Sequence, residues 1–274
     1  MTCRPSTAEF ERVELAGGRA VLYRGDCLEV MRSLPELSVD MVLTDPPYGH
    51  NNNDGDLIAN LEKALGLPAK TRPNRPIMND GKEADPLFRN ALTEMRRLLK
   101  NPGCCCCCCC CCGGGGGPDP LFARWSLWMD EVFKFKQAVV WDKGPMGLGW
   151  HYRRSYEFML VAEKRGSGKA KWYDTTNKIE NILRGCKCAP GRIGKLIPRA
   201  DQHPTEKPVR LGEHFIKLHT RKGEIVLDPF MGSGAFGEAA LKQGRRYIGI
   251  ELDPVHFESS RRRLKAWLAE HGHV

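Results

Sequence analysis

The chain has 274 residues, a formal net charge of +9 and 13 Cys. That length accommodates one large α/β domain with a sizeable core and one or two insertions. No run of about 18 apolar residues occurs and the N-terminus lacks a signal-peptide core, so a soluble intracellular protein is expected; the positive charge permits a nucleic-acid partner without requiring one.

Nine of the Cys, Cys104 to Cys112, are consecutive, a pattern that neither intrachain bridges nor zinc-ligand spacing accounts for. A reducing compartment fits them best. Cys186-Lys187-Cys188 is too close for a CxxC pair and has no second Cys/His cluster nearby, so no metal is expected.

Residues 1–18 read as a lead-in, irregular or an edge segment. Ala20 to Tyr23 is a short apolar strand ending at Arg24-Gly25-Asp26-Cys27. Asp26 stands at that strand's tip and can cap a helix over Leu28 to Leu34, or accept from the amine of a bound nucleoside. The run Val39 to Leu43 predicts a buried parallel strand. Pro46 and Pro47 cannot continue a ladder, which leaves Asp45 at the strand's carboxyl tip, where open α/β sheets bind ligands.

Thr44-Asp45-Pro46-Pro47-Tyr48-Gly49 offers a carboxylate, a carbonyl fixed by prolines, an aromatic face and a flexible Gly. Those groups suit methyl transfer to an exocyclic base amine, a poor nucleophile because its lone pair is delocalised into the ring. The Asp45 carboxylate and the Pro46 carbonyl, each accepting one N–H, push the nitrogen towards sp3. Tyr48 can stack on a base swung out of its duplex. An ordinary strand-to-turn corner is the plain alternative.

Residues 49–83 are polar and broken by Gly, Asn and Pro, with one short helix at Leu57 to Leu65. A loop this long beside a strand tip suggests closure over substrate or entry into a groove. Asp85 to Lys100 is an amphipathic helix with Leu87, Phe88, Ala91, Leu92, Met95, Leu98 and Leu99 on one side, ended by Asn101-Pro102-Gly103. The Cys run reads as a strand buried on both faces, with Gly113 to Gly117 as the turn after it. Asp119 to Phe133 is a second helix whose Trp125 and Trp128 belong to the core. Lys136 to Trp141 and Ser155 to Ala162 are strands, joined by a Gly-rich, aromatic and basic connection at 143–154 that could meet a phosphate backbone or simply be solvated.

From Lys164 to Ala200 apolar periodicity fades, and Lys169, Lys171, Arg184, Lys187, Arg192, Lys195 and Arg199 recur among Gly and Pro. This is the best nucleic-acid-facing segment, with a solvated basic loop as the alternative. After His203-Pro204-Thr205-Glu206-Lys207-Pro208 comes a helix over Val209 to Thr220, then a strand over Glu224 to Leu227 ending at Asp228-Pro229-Phe230-Met231-Gly232-Ser233-Gly234. A helix over Ala235 to Gln243 leads to a strand over Arg246 to Ile250, tipped by Glu251. A βαβ unit with Gly in its first turn and an acid about 20 positions on binds a nucleoside. Without GxGxxG or a Walker lysine, and with Asp228 at the turn, a cofactor carrying a cation is favoured over a pyrophosphate. That points to S-adenosylmethionine. The last helix, Pro254 to Glu270, is basic outside at Arg261, Arg262 and Arg263.

Asp45-Pro46-Pro47-Tyr48 followed by Asp228-Pro-Phe-Met-Gly-Ser-Gly234 resembles the amino-methylating DNA methyltransferases, specific for adenine-N6 or cytosine-N4. The order of the two motifs resembles the family's permuted β group, and Gly25-Asp26-Cys27, His203 to Pro208 and Arg246 to Glu251 match it too. The resemblance implies an S-adenosylmethionine-dependent methyltransferase (Rossmann-like) α/β fold: a seven-stranded, mostly parallel, circularly permuted sheet with the strands at 136–162 as an antiparallel edge hairpin. It implies a single methyltransferase catalytic domain over 1–274 with DNA-contacting insertions at 49–83 and 164–200.

By motif, Asp45, Pro46, Pro47 and Tyr48 are catalytic. Asp26, Cys27, Lys207, Asp228, Phe230, Gly232, Ser233, Gly234 and Glu251 surround S-adenosylmethionine, with Asp26 on its adenine and Lys207 near its carboxylate. The implied partner is double-stranded DNA, not a membrane, for a cytoplasmic protein of bacterial or phage origin of the kind found in restriction–modification; a homodimer is left open. Asp at position 45 favours adenine-N6 over cytosine-N4. RNA methylation and a catalytically inactive DNA-binding relative are the other readings, and no separate endonuclease domain is visible. The Cys run, and the partial match of Asn101-Pro-Gly103 to Lys-Pro-Gly-Gly, depart from the family pattern.

Overall fold

The chain alternates short apolar runs with amphipathic ones, and that alternation sets a sheet between helices. The structure, a computed structural model, describes residues 10–49, 78–109, 121–144, 155–166, 168, 171–185 and 206–272. The expected helix at 57–65, the Gly113–Gly117 turn, the connection at 145–154, the Cys186–Cys188 pair, Lys169, Lys187, Arg192, Lys195 and Arg199 lie outside the described residues.

The strands are β1 (Glu11–Leu15), β2 (Ala20–Arg24), β3 (Val39–Thr44), β4 (Leu99–Cys109), β5 (Lys134–Asp142), β6 (Tyr156–Glu163), β7 (Ile182–Leu183), β8 (Ile225–Asp228) and β9 (Arg246–Glu251). Among the described residues they form one nine-stranded sheet in the order β1-β2-β9-β8-β3-β4-β6-β5-β7. The strands β2, β9, β8, β3 and β4 are mutually parallel, and β6 runs antiparallel between β4 and β5. The expectation of seven strands is thus short by two, β1 and β7. Each is an edge strand, β1 antiparallel to β2 and the two-residue β7 parallel to β5, so β5 is not the edge that the resemblance implies. Such short, half-exposed strands carry little periodicity to read.

The helices are α1 (Cys27–Ser33), α2 (Ala84–Leu98), α3 (Leu121–Val132), α4 (Val209–His219), α5 (Ala235–Lys242) and α6 (Pro254–Glu270). Their apolar stripes make two cores, one on each face of the sheet. The β4 Cys alternate between them as expected: Cys104, Cys106 and Cys108 face α4 and α5, and Cys105 and Cys107 face α2 and α3. The helix α2 ends at Leu98, earlier than expected. Leu99 to Gly103 already belong to β4, where the pairing with β3 shifts register between Val39 and Met41. Among the described residues no helix is long and apolar enough to cross a membrane.

Two basic residues sit differently from their reading. Lys171, counted among the nucleic-acid-facing residues, is tucked under the sheet at the start of β3 and β8. Its Nζ donates to Asp40 (2.9 Å) and Glu224 (2.8 Å). Arg263 faces inward, not out, and pairs with Glu206 (2.9 Å) and Glu238 (2.6 Å). In both cases an acid supplied from a distant stretch of chain decides the direction, which local periodicity does not show.

Asp40 is buried at 4% exposure and also accepts from Lys100 Nζ (2.9 Å) and the Ile225 amide (3.0 Å). Burial alone would raise its pKa; the Ile225 amide, Lys100 and Lys171 outweigh that and hold it below the ordinary 3.8. A carboxylate depressed in this way stabilises the fold above its unfolded pKa, and the contribution is lost as pH falls through the folded value. Asp40→Ala is therefore expected to cost about 1.5–3 kcal/mol in denaturant melts. The deficit against the parent should shrink below about pH 4.

Candidate functional site

The carboxyl ends of β3, β8, β9 and β2 meet at one rim of the sheet, and each delivers an acid there. Asp45 follows β3, Asp228 ends β8, Glu251 ends β9, and Asp26 follows β2. Together with Gly25, Cys27, Pro46, Pro47, Tyr48, Phe230 and Gly232, three of them (Asp45, Glu251 and Asp26) line a cleft of about 840 Å³, part of it open to solvent. A second recess adjoins it, lined by Asp45, Glu206, Lys207, Asp228, Phe230, Gly232, Ser233 and Phe236. The sequence-expected residues come together here, Gly234 standing directly behind as the left-handed cap of α5 (φ 75°). A Cβ on Gly234 would lie 3.1 Å from that of Ser260.

Each acid is held differently. Asp26 caps α1, its Oδ1 accepting from the Leu28 (2.9 Å) and Glu29 (3.1 Å) amides. Glu251 accepts from the Gly232 amide (2.8 Å) and the Asp253 amide (2.9 Å), tying the Gly turn to the tip of β9. Burial nonetheless pushes its carboxyl up to about 7. Asp228, 1% exposed, accepts from Thr44 Oγ1 (2.6 Å), the Phe230 amide (3.2 Å) and the Tyr247 hydroxyl (3.3 Å), and burial likewise raises it to about 7. Its oxygens are thus engaged by the frame of the turn, and the charge it presents near neutral pH is partial. Cys27, also buried, has its thiol pushed up chiefly by desolvation and is inert as a nucleophile.

Asp45 is the exception. One oxygen accepts from Lys207 Nζ at 2.7 Å and the other from the Tyr48 hydroxyl. Burial raises its pKa, and the Lys207 charge and hydrogen bond work against that, with the Tyr48 bond adding to them. Lys207 itself is 6% exposed and lies 3.5 Å from Glu157 Oε2 and 5.4 Å from the Tyr48 ring centroid. The resemblance puts it beside a cofactor carboxylate; in the structure its ammonium is engaged by Asp45 and Glu157.

Two buried acids escaped the sequence reading. Glu157, on β6, sits between Lys207 and Lys143 (2.8 Å), and those charges outweigh burial to keep its pKa below 4.5. An acid adjoining the apolar run Phe158 to Ala162 was the available signal. Asp80 Oδ1 accepts from both the Tyr48 and Gly49 amides at 2.8 Å, pinning the corner after the prolines. Behind Tyr48 stands Trp125 (5.8 Å between centroids), stacked on Phe88 (3.9 Å), so the corner rests on an aromatic column from the core.

A family model described as DNA methylase, covering the N6 and N4 types, matches residues 39–262. The chain is 31% identical over 251 residues to YubD, a candidate methylase of Escherichia coli (strain K12), with 89% of each chain covered. It is 27% identical to YhdJ, a DNA adenine methyltransferase of the same strain, over 89% of this chain and 82% of YhdJ. The fold matches that of a candidate DNA modification methylase of Thermus thermophilus crystallised with S-adenosyl-L-methionine. The TM-score there is 0.61 at 22% identity, covering 90% of this chain and 95% of that one.

The Asp80 contacts make a measurable claim. Bonds from backbone amides to a carboxylate are worth about 1.5–3 kcal/mol each. Asp80→Ala should therefore speed amide exchange at Tyr48 and Gly49 by about tenfold or more, with the β3 amides of Met41 to Leu43 unchanged. Equal acceleration throughout β3 would mean that Asp80 supports the strand and not the corner.

Proposed function

The chain belongs to the N6/N4 DNA methylase family, and from that premise we propose that it transfers a methyl group from S-adenosylmethionine to the N6 amine of an adenine flipped out of double-stranded DNA. The observation that carries the proposal is the half-buried Asp45 carboxylate, paired with Lys207 beside the Pro46 carbonyl, at the mouth of an acid-lined cleft.

The cleft's donor set fits the cofactor. Its described lining includes Asp26, Asp45, Glu251 and Asp253 and no Lys or Arg, which favours a cationic nucleoside over a polyphosphate. Glu251 would hold ribose hydroxyls, Asp26 and Cys27 the adenine edge, and Phe230 with Gly232 to Gly234 the flank of the ligand. When bound, the cofactor supplies an electrophilic methyl on a sulfonium. The chain supplies the rest. Asp45 and the Pro46 carbonyl accept the two N–H bonds of the target amine, stabilising the positive charge that develops on nitrogen. Tyr48 must release Asp45 for this, a side-chain rotation that lays its ring along the base. Pro47 keeps the corner stiff, and Lys207 keeps Asp45 ionised.

Adenine is preferred to cytosine on two grounds, the Asp at position 45 and the adenine specificity in YhdJ's name. Duplex DNA methylated with labelled cofactor and digested to nucleosides should yield N6-methyladenine. N4-methylcytosine as the main product would move the assignment to the other branch. Of the basic residues read in 164–200, all but Lys171 (Lys169, Arg184, Lys187, Arg192, Lys195 and Arg199) are assigned to the DNA backbone, so neutralising Arg192, Lys195 and Arg199 should flatten the salt dependence of duplex binding.

Asp45→Ala should lower single-turnover transfer at least about a hundredfold while cofactor binding stays within a few-fold. An interaction strongest in the transition state shows its loss in rate more than in ground-state affinity. Transfer within about threefold of the parent would remove Asp45 from the mechanism.

Binding should also respond to pH. Glu251 and Asp228 lie at about 7 in the fold against ordinary values of 4.5 and 3.8, so between about pH 4 and 7 the folded chain holds more protons than the unfolded one. The stability that these two acids contribute in the ligand-free protein accordingly falls as pH rises through that window. A cation docked near these acids favours their ionised forms. S-adenosylmethionine affinity is expected to rise from about pH 6 to 8 with proton release, read by calorimetry in buffers of different ionisation enthalpy. Glu251→Gln should flatten the rise.

A further inference from the structure

The Cys run is the feature that methyl transfer does not use. On one face of β4, Cys104 and Cys106 bring their Sγ atoms to 3.6 Å, and His219, the last residue of α4, completes a cluster. The three ligand atoms lie within 4.8 Å of one another and all three residues are buried. His219 Nδ1 is 3.0 Å from the Lys171 carbonyl. A carbonyl only accepts, so Nδ1 carries the proton and donates it. The Nε2 lone pair is then the one available to a metal, and the bond to the carbonyl fixes the ring as outer partners of ligating histidines do.

We propose that Cys104, Cys106 and His219 form a closed binding site for a soft, thiophilic ion of low coordination number, namely Cu(I). Thiolate and imidazole ligands select such ions. A structural zinc site needs four ligands, and the described residues supply three. Three suffice for Cu(I), which suits a site shut off from water. Metal–sulfur bonds of about 2.3 Å, as for zinc, set at about 120° place two sulfurs about 4.0 Å apart, so the pair need open by only a few tenths of an ångström. Each thiol that coordinates releases its proton to solvent, and the ion enters already reduced, so no oxidant is involved. Trp172, 45% exposed, stands edge-on to His219 at 5.4 Å between centroids, so the His219 side of the cluster is the one nearest solvent-exposed chain.

The site is remote from the chemistry. Cys104 lies opposite Met41, whereas Cys107 lies opposite Thr44 at the catalytic end; three residues of strand span about 10 Å. A bound ion would staple β4 to α4 and act on stability, leaving methyl transfer untouched.

The test is an anaerobic titration of the full, reduced chain with Cu(I) against a chromophoric Cu(I) chelator. The parent should take up one tightly held equivalent. The double variant Cys105→Val/Cys107→Val, altered on the opposite face, should keep it. Cys104→Val/Cys106→Val should lose it, with competition at least about tenfold weaker. His219→Phe is the second probe should that double variant misfold. X-ray absorption of the loaded parent should show two sulfurs and one nitrogen, and His219→Phe should lose the nitrogen. Equal uptake by both double variants would place the ion on other thiols and overturn the proposal. So would no tight uptake, an all-sulfur sphere, or tighter binding of Zn(II) than of Cu(I).

Discussion

The Lys207 ammonium, closed in between Asp45 and Glu157, is the interaction on which the arrangement of the site depends. Asp45 is half-buried at a strand tip, and desolvation there raises the pKa of its carboxyl. Lys207 at 2.7 Å opposes that. Glu157, held by Lys143 from its other side, in turn keeps Lys207 in place. The chain reaches this geometry by bringing the segment before α4 across the ends of β3 and β6, and Arg263 anchors that segment through Glu206. Separate stretches of chain thus converge to set a cation against the burial that raises this carboxyl.

The other acids at the rim are handled differently. Asp228 and Glu251 are satisfied by local donors, the Thr44 hydroxyl and the Phe230, Gly232 and Asp253 amides, with no cation paired to them among the described residues. Burial raises Asp45 too, with Lys207 working against it, and carries Asp228 and Glu251, which have hydrogen bonds but no such cation, up to about 7. The rim therefore carries one acid opposed by a fixed internal cation and two that a cationic ligand would ionise. At the opposite end of the same strands, Asp40 also faces cations, Lys100 and Lys171, and there its partners outweigh burial. There the cations shape the fold.

The course of the chain was legible wherever a local rule decided it. Proline after Asp45 and after Asp228 ended strands at the right residues, and the alternation of Cys104 to Cys108 between two cores follows from period-two geometry alone. Asp26 capping α1 was readable from its position before Leu28. What remained hidden depends on partners distant in sequence. Lys171 and Arg263 read as solvent-facing because nothing near them in the chain announces Glu224 or Glu206. Asp80 lies 31 to 32 residues beyond the amides it holds. That Lys207 would meet Asp45 and Glu157 was likewise hidden, since both lie far from it in the chain. Of the edge strands, β1 fell within the stretch read as irregular or an edge segment, and the two-residue β7 was missed because it is too short to show a period.

The claim that Lys207 keeps Asp45 ionised is open to one direct measurement, the pH dependence of single-turnover methyl transfer to duplex DNA in the parent and in Lys207→Met. An opposite charge within about 4–6 Å lowers a carboxylate pKa by about 1–3 units. The acidic limb of the variant's profile should therefore move upward by at least about one unit, with much of the lost rate recovered at alkaline pH. An acidic limb at the same pH in both proteins would contradict the account.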